Sequence, residues 1–92
     1  MKAPAKSPIR LVLYVAQTAP NSIRAIANLR THLTNQGQQA DLELIDVFQN
    51  AERAARDHVI VTPTLVRLWP KPEVRIVGDL RDADVLRDVL GT

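Results

Sequence analysis

A proline stands at the start of an apolar segment, in the order Thr62-Pro63-Thr64 followed by Leu65-Val66. Proline has no N–H group to give to a β-sheet ladder, so in sheets it is confined to edge strands, strand starts and bulges. The sequence therefore predicts a strand that begins directly after Pro63. Because X–Pro bonds are cis in only about 5–6% of folded cases, local sequence alone leaves an ordinary trans strand start open.

The first part of the chain predicts a buried strand and an amphipathic helix. Ile9–Val15 is nearly continuous in apolar residues, which is typical of a strand buried on both faces. After a short loop, Asn21 or Ser22 can cap a helix that ends near Gly37. Three- and four-residue spacing defines its predicted apolar stripe, and a second set of residues faces away. The stripe is Ile23, Ile26, Leu29 and Leu33, and the polar face is Arg24, Asn28, Thr31 and His32.

The remaining segments complete a predicted order of strand, helix, strand, helix, strand, strand, helix. They are a strand at Leu42–Val47, a helix at Gln49–His58, a hairpin of Thr64–Leu68 and Val74–Val77, and a helix over Asp82–Leu90 capped by Asp79 or Asp82. A strand, helix and strand in succession predict a parallel pair with a right-handed crossover. We therefore expect one α/β domain over residues 9–92, with sheet order 4-3-1-2, after a flexible tail at residues 1–8.

Composition excludes several classes of function. Two of the twelve basic residues, Lys2 and Lys6, precede residue 9, and the remaining ten balance ten acidic residues. We therefore predict no nucleic-acid binding, which needs a basic surface. No apolar stretch approaches the roughly 20 residues of a membrane span, so we expect no membrane insertion and a cytoplasmic location. With no cysteine, two histidines and no glycine-rich loop, we predict no metal, no cofactor and no enzymatic activity.

Several motifs coincide with one family. They are Tyr14-Val15-Ala16, Pro20-Asn21-Ser22, Ile45-Asp46-Val47, Thr62-Pro63-Thr64-Leu65 and Ile76-Val77-Gly78-Asp79-Leu80, together with Thr18 and Asn50. In this order and spacing, over roughly residues 9–90, the chain resembles the KaiB family, which is thioredoxin-like and related to the N-terminal sensor domain of SasA histidine kinases. The resemblance implies a structural cis proline at Pro63. Thioredoxin-like enzymes place a dithiol beside that proline, whereas the corresponding loop here is Gln17-Thr18-Ala19-Pro20.

The resemblance implies a regulator that acts by binding. We expect a KaiC-like hexameric ATPase and autokinase as the partner, bound by the thioredoxin-like form, with modulation of its phosphorylation cycle. KaiA or a SasA- or CikA-type histidine kinase would be a further partner. The alternative is a stand-alone thioredoxin-like adaptor, or a stress-related binding module, without a role in a clock.

Candidate partner-binding residues follow from the second helix and from the edge of the sheet. They are Arg24, Asp41, Glu43, Asn50, Glu52, Arg53, Arg56 and His58. Ordinary solvated surface explains the helix residues equally well, and the acidic pair Asp41 and Glu43 can also protect a sheet edge from unwanted pairing.

KaiB-like proteins are also implied to be metamorphic. The thioredoxin-like state is then a monomer, and an alternative state is a homotetramer in which the segment at Asp82–Leu90 is a strand. The candidate residues that gate this change are Pro70, Pro72, Gly78 and Asp88. The charge and apolar pattern of Asp82–Leu90 fits a helix better than a strand, and this favours the thioredoxin-like state as the major form.

Overall fold

The computed structural model describes residues 8–91 and shows seven helices and strands there. The predicted tail therefore lies outside the described residues except for Pro8, as does Thr92. In chain order the elements are β1 (Ile9–Val15), α1 (Pro20–Asn35), β2 (Ala40–Asp46), α2 (Ala51–Arg56), β3 (Thr64–Trp69), β4 (Val74–Val77) and α3 (Ala83–Leu90). Among these residues, no helix is long and apolar enough to cross a bilayer.

The four strands form one sheet in the order β2-β1-β3-β4. β1 runs parallel to β2 and antiparallel to β3, and β3 and β4 form the hairpin. This arrangement confirms the predicted order 4-3-1-2, read here from the opposite edge. β3 begins at Thr64, directly after Pro63, as the position of the proline predicts.

The sheet is covered on both faces, and β1 supplies the centre of each core. Leu11, Leu13 and Val15 belong to the larger core, which α1 and α3 complete. Val12 and Tyr14 point to the opposite face and form a smaller core with Ala54 of α2. Successive side chains of a strand point to opposite faces, so a continuous apolar run can serve both layers.

The face of α1 that packs on the sheet differs from the predicted stripe. The buried residues are Ser22, Ala25, Leu29 and His32. Ile23 was predicted to be buried and is 51% exposed, while His32 was predicted to face away and is buried. The small side chains of Ser22 and Ala25 allow the start of the helix to lie close to the sheet, and this turns Ile23 outward. Apolar periodicity misses this arrangement because Ser22 is polar.

The start of α1 also differs from the prediction. Pro20 occupies the first turn, where its missing N–H group has no intrahelical partner to lose. Neither predicted cap residue caps the helix: the Ser22 hydroxyl accepts a hydrogen bond from the Ala16 N–H at 3.0 Å, and the Asn21 amide oxygen accepts one from Arg24. The Ser22 hydroxyl therefore fixes the loop between β1 and α1.

The second helix is shorter than predicted, with Ala51–Arg56 replacing Gln49–His58. Its start is set by Asp46, whose carboxylate accepts the Phe48 N–H at 2.8 Å and whose carbonyl accepts the Asn50 N–H at 3.0 Å. These bonds hold residues 47–49 in a turn, so the helix begins only after Asn50. At the other end, His58 adopts a positive φ of 59°, which ends the helix.

Polar contacts hold the C-terminal end of α2 against the sheet. The buried Tyr14 hydroxyl donates a hydrogen bond to the Asp57 carboxylate. The Arg75 guanidinium of β4 donates to the carbonyls of Asp57 and of His58, the latter at 3.2 Å. A six-residue helix has little stability of its own, so these contacts and the burial of Ala54 keep it in place.

The last helix has the predicted N-cap. The Asp82 carboxylate accepts the N–H groups of Asp84 at 3.0 Å and of Val85 at 3.3 Å, which satisfies two free amides of the first turn. Leu86 and Leu90 are buried, and Gly91 ends the helix in a left-handed conformation. The segment is a helix in this fold, and the alternative strand state stays a prediction.

One arginine joins the end of α3 to the β3–β4 hairpin. Arg67 of β3 donates a hydrogen bond to the Val89 carbonyl at 2.6 Å and another to the Pro72 carbonyl at 2.8 Å. Its Nε atom is buried and has no partner within residues 8–91. A neighbouring contact comes from Gln38, which donates to the Leu90 carbonyl at 2.8 Å.

The first prediction concerns the core of α1. Leu29 is fully buried, so Leu29→Ala is expected to lower the free energy of unfolding by about 2–5 kcal/mol through lost apolar contact and a residual cavity. Urea denaturation measures the change. The matched control is Arg30→Ala on the exposed side of the same turn, which is expected to change stability by less than about 0.5 kcal/mol. Equal effects of the two substitutions would contradict the assignment of this face.

The second prediction concerns Tyr14, the only tyrosine in the chain. Burial, together with the neighbouring Asp57 carboxylate, raises the pKa of Tyr14 to about 12. Between pH 10 and pH 12 the unfolded state loses this proton while the folded state keeps it, so stability falls as pH rises. Two pKa units correspond to about 2.7 kcal/mol, which is the expected scale of the loss.

The rise in phenolate absorbance with pH reports the ionisation of Tyr14, because the absorbance of Trp69 does not change over this pH range. Urea midpoints measured over the same pH range give the linked loss of stability. Tyr14→Phe is expected to remove that loss. Phenolate formation near pH 10 in the folded protein would show that Tyr14 is neither buried nor bonded as described.

Candidate functional site

The first region of interest is the end of the sheet where thioredoxin-like enzymes carry a dithiol. Tyr14 at the end of β1 pairs with Thr64 at the start of β3, so the loop at residues 16–19 and the Thr62–Pro63 turn leave the sheet at the same end. The Thr62–Pro63 peptide bond is cis, and the Thr64 hydroxyl donates to the Val61 carbonyl at 2.6 Å. With no cysteine in the chain, this end has no thiol for disulfide exchange.

Metal ligands are not grouped in the described part of the chain. Within residues 8–91, no three histidine or carboxylate side chains are close enough to hold a metal ion.

Most of the predicted partner residues lie on one surface, which we call the α2 surface. It consists of Asp41, Glu43, Asn50, Glu52, Arg53, Arg56 and His58. β2 is an edge strand, as predicted, and α2 packs on the adjacent face of the sheet. The α2 surface thus combines α2 and its two flanking residues with one edge of the sheet.

An ion pair joins the two halves of the α2 surface. Arg53 donates to both carboxylate oxygens of Glu43, at 2.7 and 2.9 Å. This fork-to-fork geometry is the preferred arrangement of guanidinium and carboxylate groups. The Arg53 guanidinium lowers the pKa of Glu43, which therefore stays ionised. The ion pair between Arg53 and Glu43 holds α2 over β2. Because the two charges offset one another, this part of the surface is less charged than its sequence suggests.

The remaining candidate residues in and beside α2 differ in how far they are bonded to the rest of the domain. Glu52 and Arg56 are exposed, and the side chain of neither makes a hydrogen bond or ion pair with another described residue. His58 is exposed at the end of the helix, where its carbonyl is bonded to Arg75. Asn50 is at the N-cap position, and its side-chain amide donates to the Asp46 carbonyl at 3.1 Å.

Arg24 is separate from the α2 surface. It lies on α1, which packs on the opposite face of the sheet, and its Nε atom is 3.6 Å from the Asp79 carboxylate. The structure therefore brings seven of the eight predicted residues to one surface and places Arg24 elsewhere.

The residues predicted to gate a change of fold lie in three places. Pro70 and Pro72 are in the hairpin loop, and the peptide bonds before both are cis. Gly78 ends β4 with a φ of 121° and donates its N–H group to the Pro63 carbonyl at 3.0 Å. Asp88 is exposed on α3. Their role in gating stays a prediction.

Sequence reasoning missed an apolar patch beside the α2 surface. Ile60 is 91% exposed, and Val61 and Val77 are also exposed. The Val61 carbonyl accepts from Thr64, which pairs with Val77, so the backbone at Val61 and Val77 meets around Thr64. In the sequence, the apolar triplet Val59-Ile60-Val61 lies outside every predicted helix and strand, and this pattern indicates exposed apolar side chains. Exposed apolar patches of this kind often mark interaction sites.

Comparison with known sequences gives a consistent family. The family model described as the KaiB domain matches residues 12–92. A circadian clock oscillator protein KaiB of Prochlorococcus marinus (strain MIT 9303) is 46% identical over 76 residues, which is 80% of this chain and 63% of the relative. A second, from Cyanothece sp. (strain PCC 7425 / ATCC 29141), is 40% identical over 83 residues, which is 89% of this chain and 79% of the relative. The matched part thus spans less than two thirds of the Prochlorococcus protein.

Comparison with solved structures shows the fold. A thioredoxin of Fasciola hepatica has a TM-score of 0.74 at 24% identity, covering 94% of this chain and 81% of that chain. The N-terminal domain of Synechococcus elongatus SasA has a TM-score of 0.70 at 19% identity, covering 99% of this chain and 85% of that chain. The fold is thus thioredoxin-like, as predicted. With the family match over most of its length, the chain belongs to the KaiB family.

Proposed function

We propose that this protein is a clock regulator that acts by binding, without catalysis, on a KaiC-like hexameric ATPase and modulates its phosphorylation cycle. Membership of the KaiB family, together with relatives that are circadian clock oscillator proteins, supports the clock role. KaiA or a SasA- or CikA-type histidine kinase would be a further partner. The binding form is the thioredoxin-like monomer in the cytoplasm.

The observation that carries the proposal is the α2 surface with its apolar neighbours. Tyr14, Arg75 and Glu43 each fix α2 or the turn after it, so the helix is held in one orientation before binding. A preorganised surface loses less conformational freedom on association. The unpartnered Arg56 and the exposed Ile60 provide a charged group and an apolar contact close together.

The adaptor alternative uses the same surface with a different partner. A thioredoxin-like domain without a thiol fits either role, because both require binding only. The identity of the partner therefore distinguishes the clock regulator from the adaptor.

The third prediction is a binding experiment with the KaiC-like ATPase of the same genome. Biolayer interferometry of the full chain against the ATP-loaded hexamer is expected to show saturable binding. Arg56→Glu and Ile60→Asp are each expected to weaken it by about tenfold or more, the scale of a significant interface residue. Arg30→Glu is the matched control, because Arg30 is an exposed arginine of α1 on the opposite face of the sheet. It is expected to leave the affinity unchanged.

Two results would contradict the proposal. A folded wild-type chain that fails to bind the hexamer in any phosphorylation state would favour the adaptor. Equal loss of affinity in Arg56→Glu and Arg30→Glu would show that long-range charge, and not the α2 surface, governs the interaction.

A further inference from the structure

β4 is one of the two edge strands of the sheet, and its outer side is unpaired. The Gly78 N–H group donates to the Pro63 carbonyl at 3.0 Å, so the main chain of Gly78 faces β3. Because alternate residues of an antiparallel pair face the neighbouring strand, the N–H and carbonyl groups of Arg75 and Val77 face outward. Glu73, directly before β4, makes no backbone hydrogen bond with another described residue. The outer edge of β4 therefore offers main-chain groups to a further strand.

The two edges of the sheet differ in their charges. Every charged residue of β2 is acidic, so a second copy of β2 placed beside it would meet like charges. At the β4 edge, Glu73 and Arg75 carry opposite charges two residues apart. Their side chains form an ion pair at 3.2 Å, so both lie on the same face of the strand. Charge thus disfavours self-pairing at β2 and allows it at β4.

The ion pair at the β4 edge is accessible and fixed in position. The side chains are partly exposed, at 40% for Glu73 and 34% for Arg75. Arg75 also donates to the carbonyls of Asp57 and His58, which lie at the end of α2. Because the guanidinium is already held in one place, it loses little conformational freedom when a further charge approaches.

Charge also decides the register of two antiparallel β4 strands. Main-chain pairing joins outward-facing residues, which are Glu73, Arg75 and Val77. Arg75 opposite Arg75 of a second copy brings two guanidinium groups together, and Arg75 opposite Val77 leaves both charges without a cross-strand partner. Arg75 opposite Glu73 of the second copy gives two contacts of opposite charge, because a two-fold axis repeats each contact. Val74 then faces Val74 of the second copy on the other face of the sheet.

A register that places Val77 opposite Val77 of the second copy forms fewer main-chain bonds. It requires Arg75 to pair with Asp79. The Asp79 carbonyl, however, accepts a hydrogen bond from the Asn28 side chain of α1 at 2.9 Å, so it is turned away from the edge. The register that joins Arg75 to Glu73 is therefore the one in which charge and main-chain pairing agree.

We propose that the β4 edge is an interface at which two copies of this chain form a two-fold symmetric dimer, with Arg75 of each copy opposite Glu73 of the other. The two sheets then join into one continuous sheet. The dimer keeps α3 as a helix, so it differs from the tetramer that the family resemblance implies. The inference goes beyond the proposed function, since it concerns the chain without another protein. Below the dissociation constant the chain is monomeric, which agrees with a monomer as the form that binds.

Sedimentation velocity of the full chain, from about 20 μM to about 2 mM, tests the dimer directly. We expect reversible dimerisation with a dissociation constant on the order of 0.1 to 1 mM, because an interface of one short strand pair is small. NMR of a sample in which half of the molecules are labelled with carbon-13 then reports contacts between copies. We expect an NOE between the Hα atoms of Val74 in the two copies, since these atoms face each other in this register.

Charge reversal tests the pairing of side chains. Glu73→Arg places two guanidinium groups opposite each other and should weaken dimerisation by about tenfold or more, as should Arg75→Glu. An equal mixture of the two variants should restore dimerisation, because each mixed dimer again has opposite charges in both contacts. Glu52→Arg is the matched control, with the same change of charge at an exposed residue of α2, and should leave dimerisation unchanged. Unchanged methyl positions of Leu29 and Leu65 would show that the core of each variant is intact.

Three results would overturn the dimer. The first is a wild-type chain that stays monomeric up to about 2 mM. The second is an equal effect of Glu73→Arg and Glu52→Arg, which would show that net charge governs self-association. The third is a mixture of Glu73→Arg and Arg75→Glu that stays monomeric. None of these results depends on a KaiC-like protein, so they leave the proposed function to its own test.

Discussion

The two-sided burial of β1 is the constraint on which the rest of the structure depends. Leu13 and Tyr14 are adjacent in the chain, are both fully buried, and point into different cores. Because β1 also pairs with β2 and with β3, every layer is positioned relative to this strand. The same strand orients the α2 surface: Tyr14 supplies the hydroxyl that fixes the end of α2, so core packing and surface geometry share one residue.

The sequence predicted the order of the elements better than it predicted the faces they present. Strand order followed from apolar runs, from Pro63 and from the crossover rule, and the Asp82 cap followed from a local pattern. The rotation of α1 could not be predicted from periodicity, because its buried face includes Ser22 and His32. The buried Ser22 hydroxyl accepts the Ala16 N–H of the preceding loop, a polar contact that no apolar pattern predicts.

The candidate site shows the same division between local and long-range information. The charged residues around α2 were visible in the sequence, but the pairing of Arg53 with Glu43 joins two elements, and it changes which charges a partner meets. The exposure of Ile60 depends on how the ends of the strands meet. The geometry of the α2 surface is thus set by contacts between elements that are distant in the sequence.

Arg67 of β3 links two segments of the second half of the domain that are separate in the sequence. One guanidinium holds the last turn of α3 and the β3–β4 hairpin loop together, through the carbonyls of Val89 and Pro72. The bond to the Val89 carbonyl is partly buried, so moving the end of α3 away would remove a partner from the half-buried guanidinium. Arg67 therefore couples the hairpin loop to the last turn of α3, although the two segments are more than fifteen positions apart in the sequence.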